Sequence, residues 1–309
     1  MTKCFSLTET RNRCHRSTFT SSGLCSTTTD LRDGTIMHCW IPKTRTESKP
    51  NLLLIHGLGA TALWQWSIFI RKLTKFFNVY VPDLVFFGGS YTTRPERTEA
   101  FQAECVMKVM EMKSVKKVSV VGLSYGGFVA YSMGVKYVEF VERVVICGSG
   151  VCLEERDLKE GVFPVCDLDE AADVLVPQTP EKLRELFGYA FFKSPCLAWL
   201  PSCFLLDFIH VMCRDYVKEK RELIKAIAKD RNLSDLPKIS QPTLIIWGEH
   251  DQVFPLELGH RLKRHLGDSA EIKIIKNAGH AFCMEKSNEF FTILKSFLVD
   301  SKLQNIHHV

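Results

Sequence analysis

The densest chemistry in the chain lies where the strand-like stretch Lys117 to Val121 enters Gly122-Leu123-Ser124-Tyr125-Gly126-Gly127. A serine with a glycine two residues away on each side fits a strand that turns into a helix too sharply to admit side chains at 122 and 126. In such a turn Ser124 stands exposed at the carboxyl edge of a sheet. The helix beneath it offers free N–H groups and a positive dipole to a developing oxyanion. The same pattern also fits a glycine-rich turn without chemistry. The apolar strand before it and the small-residue helical stretch after it favour the nucleophile.

A serine hydroxyl is a poor nucleophile without a base. Where such a turn is used, an acid and then a histidine follow it in the chain. Two positions fit. Asp251 lies in Trp247-Gly248-Glu249-His250-Asp251-Gln252, just past the apolar run Thr243 to Trp247, and His280 lies in Asn277-Ala278-Gly279-His280, past Glu271 to Ile275. His280 would take the Ser124 proton through Nε2, and Asp251 would accept from its Nδ1–H and fix the tautomer. Glu249 as the acid and His250 as the base are the alternatives. The other histidines, including His210, His260 and His265, fall in helical stretches and read as surface or structural; His307 and His308 read as a frayed tail. The turn His56-Gly57-Leu58-Gly59 follows another apolar run, and backbone N–H groups of Leu58 and Tyr125 are the expected oxyanion donors. Gly57 and Gly59 would let the backbone approach a substrate carbonyl, although a plain glycine turn would look the same.

These residues need a sheet to bring them together. Thr27 to Trp40 alternates around Asp33-Gly34 as a hairpin does. Leu52 to Ile55, Asn78 to Pro82, Lys117 to Val121, Val141 to Cys147, Thr243 to Trp247 and Glu271 to Ile275 read as strands, Leu52 to Ile55 as one buried on both faces. Helical stretches near 63–76, 97–112, 125–137, 256–266 and 286–299 alternate with them. The fold class is therefore α/β, with a mostly parallel sheet covered by helices on both faces. From Cys152 to about Leu236 only helical patterns occur, so a cap inserted between two strands is expected. The divisions are an N-terminal arm 1–26, a core in two parts at 27–150 and 237–300, the cap at 151–236 and a tail at 301–309.

Composition bounds the partners. Apolar residues are 46% of the 309, charged residues 24%, and the net charge is +5, with basic residues scattered rather than in one stripe. That pattern argues against nucleic acid. The 12 cysteines contain no Cys-x-x-Cys pair, which argues against a zinc or redox site and for a reducing compartment. No run approaches the roughly 18 apolar residues of a membrane-spanning helix. Leu197 to Met212 is apolar enough to lie on a membrane surface, but Asp207 and the prolines weigh against this. Residues 1–24 are rich in Ser, Thr and Arg, which faintly suggests a transit peptide, but a helical arm packed on the domain is the preferred reading.

His56-Gly57-Leu58-Gly59, Gly122 to Gly127, Trp247 to Asp251 and Ala278-Gly279-His280 together resemble the α/β-hydrolase superfamily over about residues 27–300. More narrowly the chain is similar to plant members described as monoacylglycerol-lipase-like or meta-cleavage-product-hydrolase-like. The stretches Asp83 to Arg94 and Leu233 to Arg264, and the start Lys3-Cys4-Phe5-Ser6, carry that likeness. The resemblance implies a cytoplasmic hydrolase of carboxylic esters with no metal and no organic cofactor. It leaves the substrate and the oligomeric state unassigned. One departure stands out: Gly88-Gly89-Ser90 occupies a loop where relatives often carry a polar or charged residue before the serine. Ser124, where dehalogenase and epoxide-hydrolase branches use Asp, argues against those chemistries.

The leading expectation is cleavage of an apolar or aromatic small-molecule ester, or of a monoacylglycerol, through an acyl-enzyme on Ser124. Acyl transfer, carbon–carbon bond hydrolysis or lyase chemistry by the same triad, and a small-molecule receptor built on this scaffold, are the alternatives. Phe187, Tyr189, Phe191, Phe192, Trp199, Phe204 and Phe208 of the insertion could line an apolar pocket, but most are expected to form the cap's own core and its contact with the sheet.

Overall fold

A computed structural model describes residues 6–165, 167–193 and 200–300. Lys3 to Phe5, Trp199, and the tail with His307 and His308 lie outside the described residues. The centre is a nine-stranded sheet. β1 (Leu24–Asp30) and β2 (Thr35–Pro42) form an antiparallel hairpin, turned at Asp33-Gly34. β3 (Asn51–Ile55), β4 (Asn78–Pro82), β6 (Val118–Leu123), β7 (Val141–Cys147), β8 (Thr243–Gly248) and β9 (Ala270–Ile275) run parallel to one another. The order across the sheet is β1-β2-β4-β3-β6-β7-β8-β9, and the two-residue β5 (Tyr91–Thr92) pairs with β2. Every residue of β3, β4, β6 and β8 is buried, because helices cover both faces and leave no side for polar residues.

One face packs against α3 (Glu99–Met112), α4 (Tyr125–Lys136) and α10 (Leu256–Leu266); the other against α1 (Leu7–Ser21), α2 (Ala62–Leu73) and α12 (Ser287–Lys295). α10 shows why its sequence is a helix. Leu258, Leu262 and Leu266 recur every fourth residue and are buried, the last turn is basic, and Gly267 at φ 67° stops it. α1 is capped by Ser6, whose hydroxyl accepts from Glu9 N, and Phe19 anchors the helix on Trp40. The chain's final helical stretch is broken: α11 (Phe282–Glu285) precedes α12, and a π-helical turn runs Ser296–Asp300.

Between β7 and β8 lie α5 (Glu155–Lys159), α6 (Leu168–Leu175), α7 (Pro180–Ala190), α8 (Ser202–Met212) and α9 (Val217–Ala228). Leu183, Leu205, Ile209 and Cys213 form a small core of their own there, with Phe187 and Phe208 packed against it. Among the described residues no helix is long and apolar enough to cross a membrane.

Candidate active site

Ser124 closes β6 and begins α4 with φ 55° and ψ −123°, a backbone that side chains rarely adopt. Packing forces this turn. A Cβ on Gly122 would lie 2.1 Å from Gly126 O, and one on Gly126 would lie 2.5 Å from Ile55 O. Strand, turn and helix therefore touch backbone to backbone, and Ser124 N is tied to Cys147 O at 2.8 Å. The Ser124 hydroxyl is half-buried and has no hydrogen-bond partner among the described residues. In ligand-free hydrolytic sites such bonds commonly form only with substrate present.

Asp251 lies in the loop after β8 and His280 in the loop after β9. Their strands neighbour each other, and β7 alone separates β8 from β6. His280 Nδ1 is 2.8 Å from Asp251 Oδ2, with the carboxylate fully shielded and the imidazole 12% exposed. Asp251 Oδ1 accepts from Val253 N and Phe254 N, at 2.9 and 2.8 Å. The carboxylate therefore has a fixed orientation, and its second oxygen meets the imidazole N–H. Gly148, at φ 50°, passes beside this pair: a Cβ there would sit 3.3 Å from Asp251 Oδ2 and 3.4 Å from His280 Nδ1. Neither alternative partner joins them. Glu249 accepts from Asn277 N at 2.9 Å and faces His250, whose ring stacks on Phe192 at 4.0 Å.

The turn after β3 approaches Ser124 from the other side. A Cβ on Gly57 would be 3.0 Å from Ser124 Cβ, whereas Gly59 stands in open space. His56 has a part the sequence did not suggest. It is fully buried, its Nε2 accepts from Leu84 N at 3.0 Å, and its Nδ1–H therefore donates to Gly57 O at 2.7 Å. Burial lowers its pKa against the opposing pull of Asp83, so it stays neutral in this tautomer. Holding Gly57 O toward the ring turns the Leu58 N–H, across a trans peptide, the opposite way. The N–H groups of Leu58 and Tyr125 have no acceptor among the described residues. The signal in the sequence was a histidine placed directly between a buried run and Gly-x-Gly.

Glu285 was also missed. Its carboxylate accepts from Gly279 N at 2.7 Å and from Phe192 N at 3.1 Å, so it joins the His280 loop to the end of α7. Ala281 N donates to Ala190 O at 2.7 Å in the same place.

A small apolar cavity, partly open to solvent, lies between α5, α6, α7, α9 and the loop that carries Asp251. Leu158, Phe163, Leu175, Tyr189, Ile227 and Phe254 are among its lining residues, and none of the lining residues is charged. Phe254 forms the near wall, with its ring centroid 5.8 Å from that of His280. Of the insertion's aromatic residues, Tyr189 lines this space, Phe187 and Phe208 pack against the insertion's own small core, and Phe204 is exposed.

Comparison with known proteins agrees with this architecture. The 2-hydroxy-6-oxononadienedioate/2-hydroxy-6-oxononatrienedioate hydrolase of a Pseudomonas species is 26% identical over 267 residues, covering 80% of this chain and 87% of the relative. The bovine (Bos taurus) monoacylglycerol lipase ABHD6 is 25% identical over 276 residues, covering 84% and 78%. In structure, the lipase candidate lip1 of Acinetobacter baumannii AYE superposes with a TM-score of 0.81 at 22% identity, covering 95% of this chain and 97% of that one. A family model for alpha/beta hydrolases matches residues 52–292, most of the sheet and the whole insertion, and the chain belongs to the alpha/beta hydrolase family.

Proposed function

We propose that the chain is a serine hydrolase of small apolar carboxylic esters, monoacylglycerols among them. The observation that carries this reading is the Asp251–His280 hydrogen bond at 2.8 Å, in loops at the same carboxyl edge of the sheet as a serine held at positive φ on a helix N-terminus. In the proposed reaction Ser124 Oγ attacks the ester carbonyl and gives its proton to His280 Nε2. The N–H groups of Leu58 and Tyr125 donate hydrogen bonds to the developing oxyanion. His280 then protonates the leaving alcohol, and the acyl group stays on Ser124. Water, deprotonated by His280, releases it. Asp251 holds the Nδ1–H tautomer throughout and stabilises the imidazolium.

The uncharged cavity beside Phe254 supports an acyl chain or aromatic ring as the bound group. A dicarboxylate such as that in the name of the Pseudomonas relative would bring charge into a space whose lining offers no cation to pair with it. For this reason the ester reading is preferred to carbon–carbon bond hydrolysis.

The test is turnover of p-nitrophenyl butyrate, p-nitrophenyl octanoate and a monoacylglycerol by the wild-type protein and by Ser124→Ala, with fluorophosphonate labelling alongside. The substitution should lower kcat/KM by about 10⁴-fold or more and abolish labelling at that position. Near-normal ester turnover by Ser124→Ala would overturn the proposal.

A further inference from the structure

A second serine–histidine–aspartate relay lies on the antiparallel edge of the sheet, outside the site described above. Ser26 Oγ is 2.7 Å from His38 Nε2, and His38 Nδ1 is 2.8 Å from Asp83 Oδ2. Asp83 Oδ1 accepts from Ala62 N at 2.9 Å. The tautomer follows from these partners. A carboxylate offers no proton, so Nδ1–H donates to Asp83, and Nε2 presents its lone pair to the Ser26 hydroxyl. Burial works to raise the Asp83 carboxyl, but the His38 hydrogen bond and the neighbouring imidazoles outweigh it and hold it below the usual carboxylate range. Exposure is graded along the relay: 6% for the Asp83 side chain, 13% for His38, and an exposed Ser26 at the end.

The surrounding chain is shaped around these groups. Thr28 pairs with His38 and Ser26 with Trp40, so Ser26 and His38 are diagonal neighbours on one face of the hairpin. The loop Gly88-Gly89-Ser90 wraps the pair. A Cβ on Gly88 would fall 2.1 Å from Asp83 Oδ2, and one on Gly89 would fall 3.0 Å from His38 Cβ. Ser90 Oγ donates to Asp83 O at 2.7 Å and accepts from His38 N at 2.8 Å. The backbone also supplies a donor. Lys43 N to Gly23 O and Leu31 N to Thr35 O bracket the β1–β2 ladder, so odd-numbered residues of β1 face β2 and Ser26 N–H points out of the free edge. A tie between β2 and the loop would be complete with His38 and Asp83 alone; the third bond gives an exposed hydroxyl a path for its proton.

We propose that Ser26 is a second nucleophile, activated by His38 and Asp83, which takes an acyl group from small activated esters. In the step, Ser26 Oγ bonds to the acyl carbon and its proton passes to His38 Nε2. The bond to the leaving aryloxide breaks with its electron pair, and the aryloxide takes up a proton from His38 or solvent. The product is an O-acyl ester on Ser26, with no oxidant or metal required.

The test treats full-length Ser124→Ala protein with p-nitrophenyl acetate and follows acylation by peptide mapping. Ser21 is exposed and bonds only to Thr18 O, so it serves as a control within the same molecule. A positioned base contributes at least about 100-fold, so Ser26 should acylate about 100-fold faster than Ser21. His38→Gln should bring Ser26 to the Ser21 rate and leave Ser21 unchanged. Should His38→Gln fail to fold, Ser26→Cys in the Ser124→Ala background replaces it. Its new thiol should alkylate with iodoacetamide at least tenfold faster than the exposed Cys14. Equal rates at Ser26 and Ser21, or at the new thiol and Cys14, would overturn the proposal.

Discussion

Asp251→Asn tests the proposed triad through geometry alone, because the structure dictates how the new amide must turn. Asp251 Oδ1 accepts two backbone hydrogen bonds, from Val253 N and Phe254 N. An asparagine must keep its carbonyl oxygen there, since an NH2 group facing two N–H donors would leave three buried donors opposed. The amide NH2 then faces His280 Nδ1, where Asp251 Oδ2 sits 2.8 Å away in the native protein. Nδ1 must become an acceptor, the ring proton moves to Nε2, and the imidazole can no longer take the Ser124 proton. In a serine protease the same exchange lowers kcat about 10⁴-fold, equivalent to about 5.5 kcal/mol of transition-state stabilisation. Three charge-assisted bonds also become neutral, at a cost of about 1 kcal/mol each. That total of about 3 kcal/mol lies below the usual 5–15 kcal/mol of a folded domain, so the variant should remain folded. The assay is kcat/KM for p-nitrophenyl butyrate, corrected for the Ser124→Ala rate, with a thermal melt as the folding control. Activity within tenfold of wild type would refute the tautomer argument. Glu249→Gln in parallel should change activity less than threefold; a large loss there would transfer the acid role to Glu249.

Gly122→Ala should cost about 3 kcal/mol or more, since its Cβ would meet the Gly126 carbonyl at 2.1 Å; a melting temperature within about 2 °C of wild type would contradict the packing described for the turn. His15 is buried edge-on to Trp64, and burial, with Arg11 adding to it, lowers its pKa from 6.5 to about 4. The unfolded imidazole binds its proton first, so this stabilisation is complete above pH 6.5 and is lost as pH falls toward 4. Trp64 emission should therefore shift to the red across that window as α1 loosens, and His15→Phe should flatten the shift; an identical profile in the variant would assign the change to other groups. Ala171→Phe fills part of the apolar cavity, and should reduce kcat/KM for p-nitrophenyl octanoate at least tenfold while leaving the acetate within about twofold; equal losses for both esters would place the acyl chain elsewhere.

The parts of the fold legible in the sequence were those set by local pattern. Leu52 to Ile55 and Leu244 to Trp247 are uninterrupted apolar runs, and each lies in a strand buried on both faces. α10 could be read to its ends, because its apolar period and its terminating glycine both lie within the segment. What depends on distant partners was not legible. β5 is two residues long and exists because Thr35 and Ile36 of β2 pair with it. The stretch expected as one helix from 286 is preceded by α11, whose first turn rests on Gly279 and Ala281 in the His280 loop. The residues of the proposed triad, Ser124, Asp251 and His280, could be picked out from their neighbours in sequence. Gly148 could not, because the side chains that crowd it, Phe282, Asp251 and His280, lie about a hundred residues and more downstream.

The supporting residues also show how the cap and the proposed base are coupled. Asp251 hangs from β8 and draws its backbone donors from its own loop, so the core alone orients it. His280 differs. Its loop is held by Glu285, and the same carboxylate holds Phe192 N at the end of α7, while Ala281 N reaches Ala190 O. Gly279 has no room for a side chain because Ala190 O and Phe192 N would lie 2.7 and 2.8 Å from its Cβ. The same stretch of cap carries Tyr189, which lines the apolar cavity. A group that fills the cavity therefore bears on the segment that positions the imidazole, whereas the carboxylate and the serine stay fixed by the sheet. In the proposed reaction, binding of a group beside Tyr189 and placement of the proton acceptor would act through one set of hydrogen bonds, centred on Glu285.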